Sequence, residues 1–151
     1  MSGVLGWLTM VGAVQSLTGA GMQADVALDG DVLRVHIEAP GPGWVAFGIS
    51  DRAGLRGAHL AMVAVLDDGS VLAEHHVADP PQHHPVQSRW IRSATGKDGA
   101  RTTVDLVLVA RGEDAPLDIQ PGSPTFVTLA WSVSDDLTHH SAARTEVVLR
   151  L

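Results

Sequence analysis

Histidine is the residue type whose number and spacing in this sequence most readily suggest chemistry. Six of the eight histidines form adjacent pairs, at His75-His76, His83-His84 and His139-His140. Imidazole binds copper, nickel and zinc well, but adjacent side chains of a strand point to opposite faces, so one pair cannot chelate an ion with both rings. A metal site therefore requires rings from separate pairs to converge. For His83 and His84 a solvated loop or edge position is the simpler interpretation, and His36 is expected on the solvated face of its strand.

Several other chemistries are excluded by what the sequence lacks. It has no cysteine, which rules out disulfides, thiol catalysis, cysteine zinc sites and iron–sulfur clusters. The formal net charge of -7 argues against a nucleic-acid partner, because phosphate binding needs clustered Lys and Arg. The sequence contains no Gly-x-Ser-x-Gly elbow, P-loop, dinucleotide fingerprint or His-Glu-x-x-His motif. We therefore predict that the isolated chain is not an enzyme.

The elements that must position the histidines are predicted to be β-strands. In Val32–Glu38, apolar and polar residues alternate, as in a strand with one buried face. The same alternation runs through Gly43–Ile49, Thr125–Val133 and Glu146–Leu151. Leu60–Leu66 is instead continuously apolar and is predicted to be buried on both faces. No segment after residue 22 shows a convincing helical period.

Turns and longer connections separate these strands. Leu28–Asp31 and Asp67–Ser70 each contain an Asp-Gly turn signal. Two proline-containing stretches, Asp79–Pro85 and Arg111–Pro124, are predicted to be long surface connections. About eight short strands joined in this way predict an all-β fold, an antiparallel β-sandwich. Long ordered loops on such a scaffold are the usual place for a binding site.

Residues 1–21 have several features of a secretory signal peptide. The first ionisable side chain is that of Asp25, and the largely apolar stretch Val4–Leu17 is followed by small residues. The start departs from the pattern because it lacks Lys or Arg, so the alternative is an N-terminal extension or the first element of the fold. We predict the sandwich over residues 22–151 and a secreted or periplasmic protein. Glycines dilute the apolar stretch too much for a transmembrane helix in the mature chain.

A series of short motifs resembles one known family. Gly43–Ser50 matches a Gly-Trp-x-x-Phe-Gly-x-Ser strand, and Gly54–His59 is similar to Gly-Met-x-Gly-Ala-Asp. Asp114–Ile119 resembles an acidic loop of the same family, and Leu129–Trp131 resembles the end of the strand that follows that loop. Asp135–His140 is similar to the motif acidic-x-x-Tyr-His. In this order the motifs resemble the DOMON domains, secreted modules named for dopamine beta-monooxygenase-type proteins. The resemblance covers most of residues 22–151.

The resemblance implies an immunoglobulin-like sandwich that binds haem b, sugars or other small ligands. In haem-binding members a Met and a His hold the iron, and the domain transfers electrons to or from a redox partner. His140 lies at the position of that histidine, with His139 as the candidate if the register differs by one. Leu55, which has no donor atom, lies at the position of the methionine. His59 is the preferred substitute and Met62 the second, and the absence of haem is the third alternative.

Other residues are candidates for contacts with the ligand itself. Arg89 and Arg144 are expected to pair with a haem propionate or another carboxylate. Trp90, next to Arg89, is expected near a ligand mouth, whereas Trp44 and Trp131 fill a core or form a stacking platform for sugars. Haem would be held non-covalently, because there is no Cys-x-x-Cys-His sequence. A carbohydrate- or small-molecule-binding module without haem, or a histidine-based metal site, remains the alternative function.

Overall fold

The computed structural model describes residues 14–151, which form eleven β-strands and no helix. Every pair of neighbouring strands is antiparallel. The prediction of an all-β antiparallel sandwich is therefore confirmed. The strands are β1 (Val14–Gly19), β2 (Met22–Asp29), β3 (Val32–Ala39), β4 (Val45–Ser50), β5 (His59–Val65), β6 (Val71–Asp79), β7 (Gln82–Val86), β8 (Ile91–Lys97), β9 (Thr102–Val109), β10 (Thr125–Trp131) and β11 (Ala143–Leu149).

The strands form two sheets that pack face to face. Sheet I has the order β1-β2-β3-β9-β8, and sheet II has the order β11-β10-β4-β5-β6-β7. The core between them is built from alternate residues, because successive side chains of a strand point to opposite faces. On β4 these are Val45, Phe47 and Ile49, all of which are fully buried. The predicted inward face of this strand is confirmed.

Strand β5 is apolar on both faces, as predicted. Ala61, Val63 and Val65 point into the core between the sheets. Leu60 and Met62 point the other way, into a second apolar cluster on the outer face of sheet II. A sheet face that carries such a cluster is covered by other chain segments, and here Leu137 and Leu55 pack onto it from two loops. The outer face of sheet II is thus an apolar surface bounded by loops, and it positions the candidate site.

The prediction of a long loop at Asp79–Pro85 is wrong. Within Asp79–Pro85, residues Gln82 onward belong to β7, which pairs with β6 and forms the edge of sheet II. Proline is tolerated on an edge strand, where its missing N–H faces away from the ladder, and Pro85 therefore does not prevent pairing. The second predicted loop is confirmed, because no strand lies between the end of β9 at Val109 and Thr125.

The sandwich extends further toward the N-terminus than the boundary predicted at residue 22. Strand β1 pairs along its length with β2 and places Leu17 in the core, 4% exposed. Ala20 and Gly21, both with positive φ, form the tight turn between the two strands. The remainder of the predicted leader, residues 1–13, lies outside the described residues. Within residues 14–151, no helix is long and apolar enough to cross a membrane.

Candidate functional site

A cavity of about 630 Å³ lies on the outer face of sheet II. We call it the outer cavity. Its floor consists of side chains from the outward-facing positions of β4, β5 and β10 and of one residue just before β4, namely Trp44, Ala46, Leu60, Met62, Thr128 and Ala130. Small-molecule sites commonly measure roughly 300–1,000 Å³ and are mostly apolar with a few polar groups. The outer cavity has the size and floor of such a site.

The polar groups of the outer cavity lie on its rim. The β6–β7 hairpin contributes His83 and His84, the segment before β11 contributes His140, and β11 itself contributes Arg144. Arg144 forms no ion pair with another side chain of residues 14–151. Leu55 lines the same cavity as an apolar wall residue. An apolar floor with imidazoles and a guanidinium above it suits a ligand with a flat apolar body and an anionic edge.

The predicted ligand His140 is held in place through its backbone. Ser132 Oγ donates a hydrogen bond to the carbonyl oxygen of His140 at 3.0 Å, and the indole Nε1 of Trp44 donates to that of His139 at 3.1 Å. Both donors belong to buried residues. The side chain of His140 itself is exposed at the cavity rim, so its position is fixed while its ring remains accessible.

His139 and His140 do not point to opposite faces, contrary to the expectation for an extended segment. Their rings stack with centroids 4.4 Å apart and planes at 22°. The preceding residues form a turn, closed by hydrogen bonds from the Thr138 amide and hydroxyl to Asp136. These hydrogen bonds also lower the pKa of Asp136. Period-two alternation holds only for extended backbone; His140 lines the outer cavity and His139 stacks behind it.

His59 lies on the opposite face of sheet II from the outer cavity. Its Nδ1 is 3.1 Å from Nε2 of His75, and its ring meets Trp90 edge-on with centroids 6.5 Å apart. His59 and Met62 are three positions apart on β5, and an odd separation places two side chains on opposite faces. The predicted pairing of His59 with His140 in one site is therefore wrong, whereas Met62 does share a cavity with His140.

Trp90 and Arg89 are also remote from the outer cavity. Trp90 is completely buried between the sheets and packs on the ring of His75, with centroids 4.8 Å apart. Its expected place at a ligand mouth is therefore wrong. Arg89 is exposed beside Ser88 and His75, along two depressions on another part of the surface. Of the predicted residues, the outer cavity brings together Met62, His140 and Arg144.

The adjacent pair His75-His76 is divided between the two faces of β6, as predicted for a strand. His75 joins His59 on the inner face, and its Nδ1 is 2.7 Å from the hydroxyl of Ser88. Burial, reinforced by the neighbouring His59 and His76, lowers the pKa of His75 to about 4. His75 is therefore neutral at physiological pH. We call His59 and His75 the inner pair.

On the outer face of β6, His76 forms a second pair with His83 of β7. Their Nδ1 atoms are 2.8 Å apart, and Nε2 of His76 is 2.9 Å from Oε1 of Glu74. His76 is 2% exposed, whereas His83 is half-buried and lines the outer cavity. We call His76 and His83 the outer pair. Of the two positions expected for His83, a loop or a sheet edge, the edge is correct, but the side chain is half-buried and not solvated. A hairpin in Asp79–Pro85 is the signal that indicates this contact.

The two pairs do not combine into a larger cluster. In the part of the chain from residue 14 onward, no group of three or more His, Asp or Glu side chains is arranged to hold a metal ion. Trp44 is buried, and half-buried Trp131 donates its indole N–H to the carbonyl of Ala20 at 2.8 Å. Trp44 lines the floor of the outer cavity, whereas Trp90 is completely buried.

No protein-family model matches the chain, and no curated protein matches it. The resemblance to DOMON domains therefore stays a prediction from the motifs. The functional argument depends on the residues that the outer cavity brings together.

Proposed function

We propose that the outer cavity binds one b-type haem non-covalently and that the domain is an electron-transfer module. A single observation carries this proposal: one apolar cavity of suitable size contains an imidazole, a thioether and an unpaired guanidinium, from His140, Met62 and Arg144. Imidazole nitrogen and thioether sulfur are the axial donors that proteins commonly offer to haem iron. A haem bound there would supply reversible one-electron transfer.

Different residues of the cavity would contact different parts of the haem. The floor of Trp44, Leu60 and Ala130 provides apolar contact for a flat ring and excludes water from it. Arg144, which has no carboxylate partner within residues 14–151, is available to pair with a propionate. His140 presents a nitrogen from a segment anchored by two backbone hydrogen bonds. Leu55, at the position of the family methionine, contributes apolar contact only.

The proposal includes a location and a partner. A haem module of this kind works in the secreted or periplasmic space and exchanges electrons with another protein. The sequence contains none of the common catalytic motifs, and we propose that turnover belongs to the partner. Arg144 is the one arginine or lysine among the described lining residues of the cavity. A nucleic-acid ligand would require a cluster of such residues.

Absorbance spectroscopy tests the proposal directly. Purified protein is titrated with haemin, and spectra are recorded before and after reduction. We expect a saturable, reducible spectrum that is lost or greatly weakened in His140→Ala. His59→Ala is the matched control, because that imidazole lies on the opposite face of the sheet and its loss should leave the spectrum unchanged. Only the broad absorption of loose haemin in the wild type, or an unchanged spectrum in His140→Ala, would refute the proposal.

A second candidate function is the binding of a small apolar ligand without haem. It is favoured by Leu55, which puts a hydrocarbon where the family has its methionine donor, and by the complete burial of Met62. The same cavity would then bind an apolar body with an anionic group near Arg144. Thermal stabilisation by amphiphilic carboxylates, equal in the wild type and His140→Ala, would favour this function over the first.

A further inference from the structure

A chain of three side chains connects the surface of sheet II to the outer cavity. Glu74 Oε1 lies 2.9 Å from Nε2 of His76, and Nδ1 of His76 lies 2.8 Å from Nδ1 of His83. His76, in the middle, is 2% exposed. His76 and His83 are on neighbouring antiparallel strands, with His76 directly opposite Pro85. His83, two residues before Pro85, therefore projects from the same face as His76.

The carboxylate at one end dictates where the protons lie. An ionised carboxylate only accepts hydrogen bonds, and a neutral imidazole has one donor and one acceptor nitrogen. In the neutral form of His76, Nε2 therefore carries the proton that is donated to Glu74, and Nδ1 accepts a hydrogen bond. The hydrogen bond between the two rings then requires Nδ1 of His83 to donate. Nε2 of His83 is left with a free lone pair.

That lone pair belongs to a residue that lines the outer cavity. Neutral imidazole is the form that binds a metal. In metal sites the ligating histidine almost always donates its other ring N–H to an acceptor, which fixes the tautomer and raises basicity. His83 has this arrangement, with His76 as the acceptor and Glu74 behind it.

We propose that His83 and His140 would together hold the haem iron and that Glu74 and His76 position His83 by fixing its tautomer. The inference rests on the proposed function. It accounts for the absence of a donor atom at Leu55, because strand β7 would supply the second donor through His83. Met62 remains a floor residue: it is completely buried in the apolar cluster beneath the cavity, whereas His83 is half-buried at the rim.

The first test compares the spectra of haemin-loaded variants. Two strong-field imidazoles give a low-spin iron, so the wild type should be low-spin without the sulfur-to-iron charge-transfer band of a Met-ligated haem. His83→Ala should still take up haemin through His140 but become high-spin. Met62→Leu, which keeps an apolar floor without a donor, should remain low-spin with at most weaker binding. Glu74→Gln should bind haemin about 10-fold more weakly. The amide of Gln can donate a hydrogen bond to His76, so the tautomers of His76 and His83 are no longer fixed.

The second test needs no haem. In the apo-protein at neutral pH, nitrogen NMR of the histidine rings should show His83 protonated at Nδ1 and unprotonated at Nε2. Glu74→Gln should shift His83 toward a mixture of tautomers. A His83 protonated at Nε2 in the wild type would overturn the positioning role of Glu74 and His76.

The outcomes separate the inference from the function on which it rests. A low-spin spectrum that survives His83→Ala but disappears in Met62→Leu would overturn the role of His83 and leave haem binding intact. If the wild type takes up no haem, the proposed function fails and the ligand role fails with it. Loss of uptake in His140→Ala together with a high-spin His83→Ala supports both.

Discussion

The inner and outer histidine pairs have similar nitrogen–nitrogen distances but different surroundings. In the inner pair, His59 and His75 approach to 3.1 Å and pack against the indole of Trp90 in the core. Its chain of hydrogen bonds ends at the hydroxyl of Ser88. A hydroxyl can donate or accept, so this contact does not determine which ring nitrogens carry protons. The inner pair is part of the packing of the sandwich.

The outer pair differs in both respects. His76 and His83 approach to 2.8 Å, and their chain ends at the carboxylate of Glu74, which can only accept. One ring is buried against the sheet and the other lines the outer cavity. The contrast shows that residue type and spacing alone do not distinguish the two histidine pairs. The pairs differ in the group at the end of the hydrogen-bond chain and in the space beside the second ring.

The largest expected difference between the two faces is in stability. Trp90→Ala should lower the free energy of unfolding by about 3–5 kcal/mol, because it empties a large volume under the inner pair. His83→Ala, at the rim of the outer cavity, should cost about 1 kcal/mol for one lost hydrogen bond. Chemical denaturation monitored by circular dichroism measures both. Similar losses in the two variants would contradict the assignment of the inner pair to the core.

The inner pair should also make stability depend on pH. Because the pKa of His75 is about 4 in the folded protein and 6.5 without the fold, the unfolded chain takes up a proton first as pH falls. Its contribution is fully present above pH 6.5 and is lost progressively toward pH 4, by about 3 kcal/mol in all. In His75→Gln, the free energy of unfolding, taken from denaturation curves at each pH, should vary less across this range. An equally steep dependence in that variant would assign the effect elsewhere, with His59 and His83 as the next candidates.

A histidine on sheet I should show the opposite and smaller dependence. His36 is 7% exposed, not solvated as expected, and its Nδ1 lies 2.7 Å from Asp105. This hydrogen bond outweighs burial and raises the pKa of His36. Its contribution is therefore present below pH 6.5 and is lost as pH rises through the raised pKa. Because Asp105 is half exposed, Asp105→Asn should cost about 1 kcal/mol or less, measured by denaturation at pH 6. A loss that grows toward pH 9 would have the wrong sign.

The strands were predictable because their signals are local. The alternation in Gly43–Ile49 and the continuous apolar run Leu60–Leu66 correctly indicated which faces are buried, including the apolar outer face of sheet II. The same rule was sufficient to separate His59 from Met62, since three positions along a strand reverse the face. His59 and Met62 are therefore not alternatives for a place in the same cavity.

Other features depended on contacts between distant segments. Strand β7 has a proline and two adjacent histidines, which are typical of a loop, and only pairing with β6 makes it a strand. The outer pair follows from that pairing and from the position of Glu74 two residues before His76. Likewise, the burial of Trp90 depends on where β8 joins sheet I, and no periodic pattern around Trp90 indicates it.

The short edge strand β7 has a consequence for the solubility of the domain. An edge strand presents a free row of backbone donors and acceptors that can recruit a strand from another molecule and begin aggregation. Pro85 removes one N–H from β7, and the strand is only five residues long. The histidines of this strand add polar side chains at the same edge. The segment that carries His83 to the outer cavity therefore also discourages edge-to-edge association, so a substitution that makes β7 longer or more regular would endanger both properties at once.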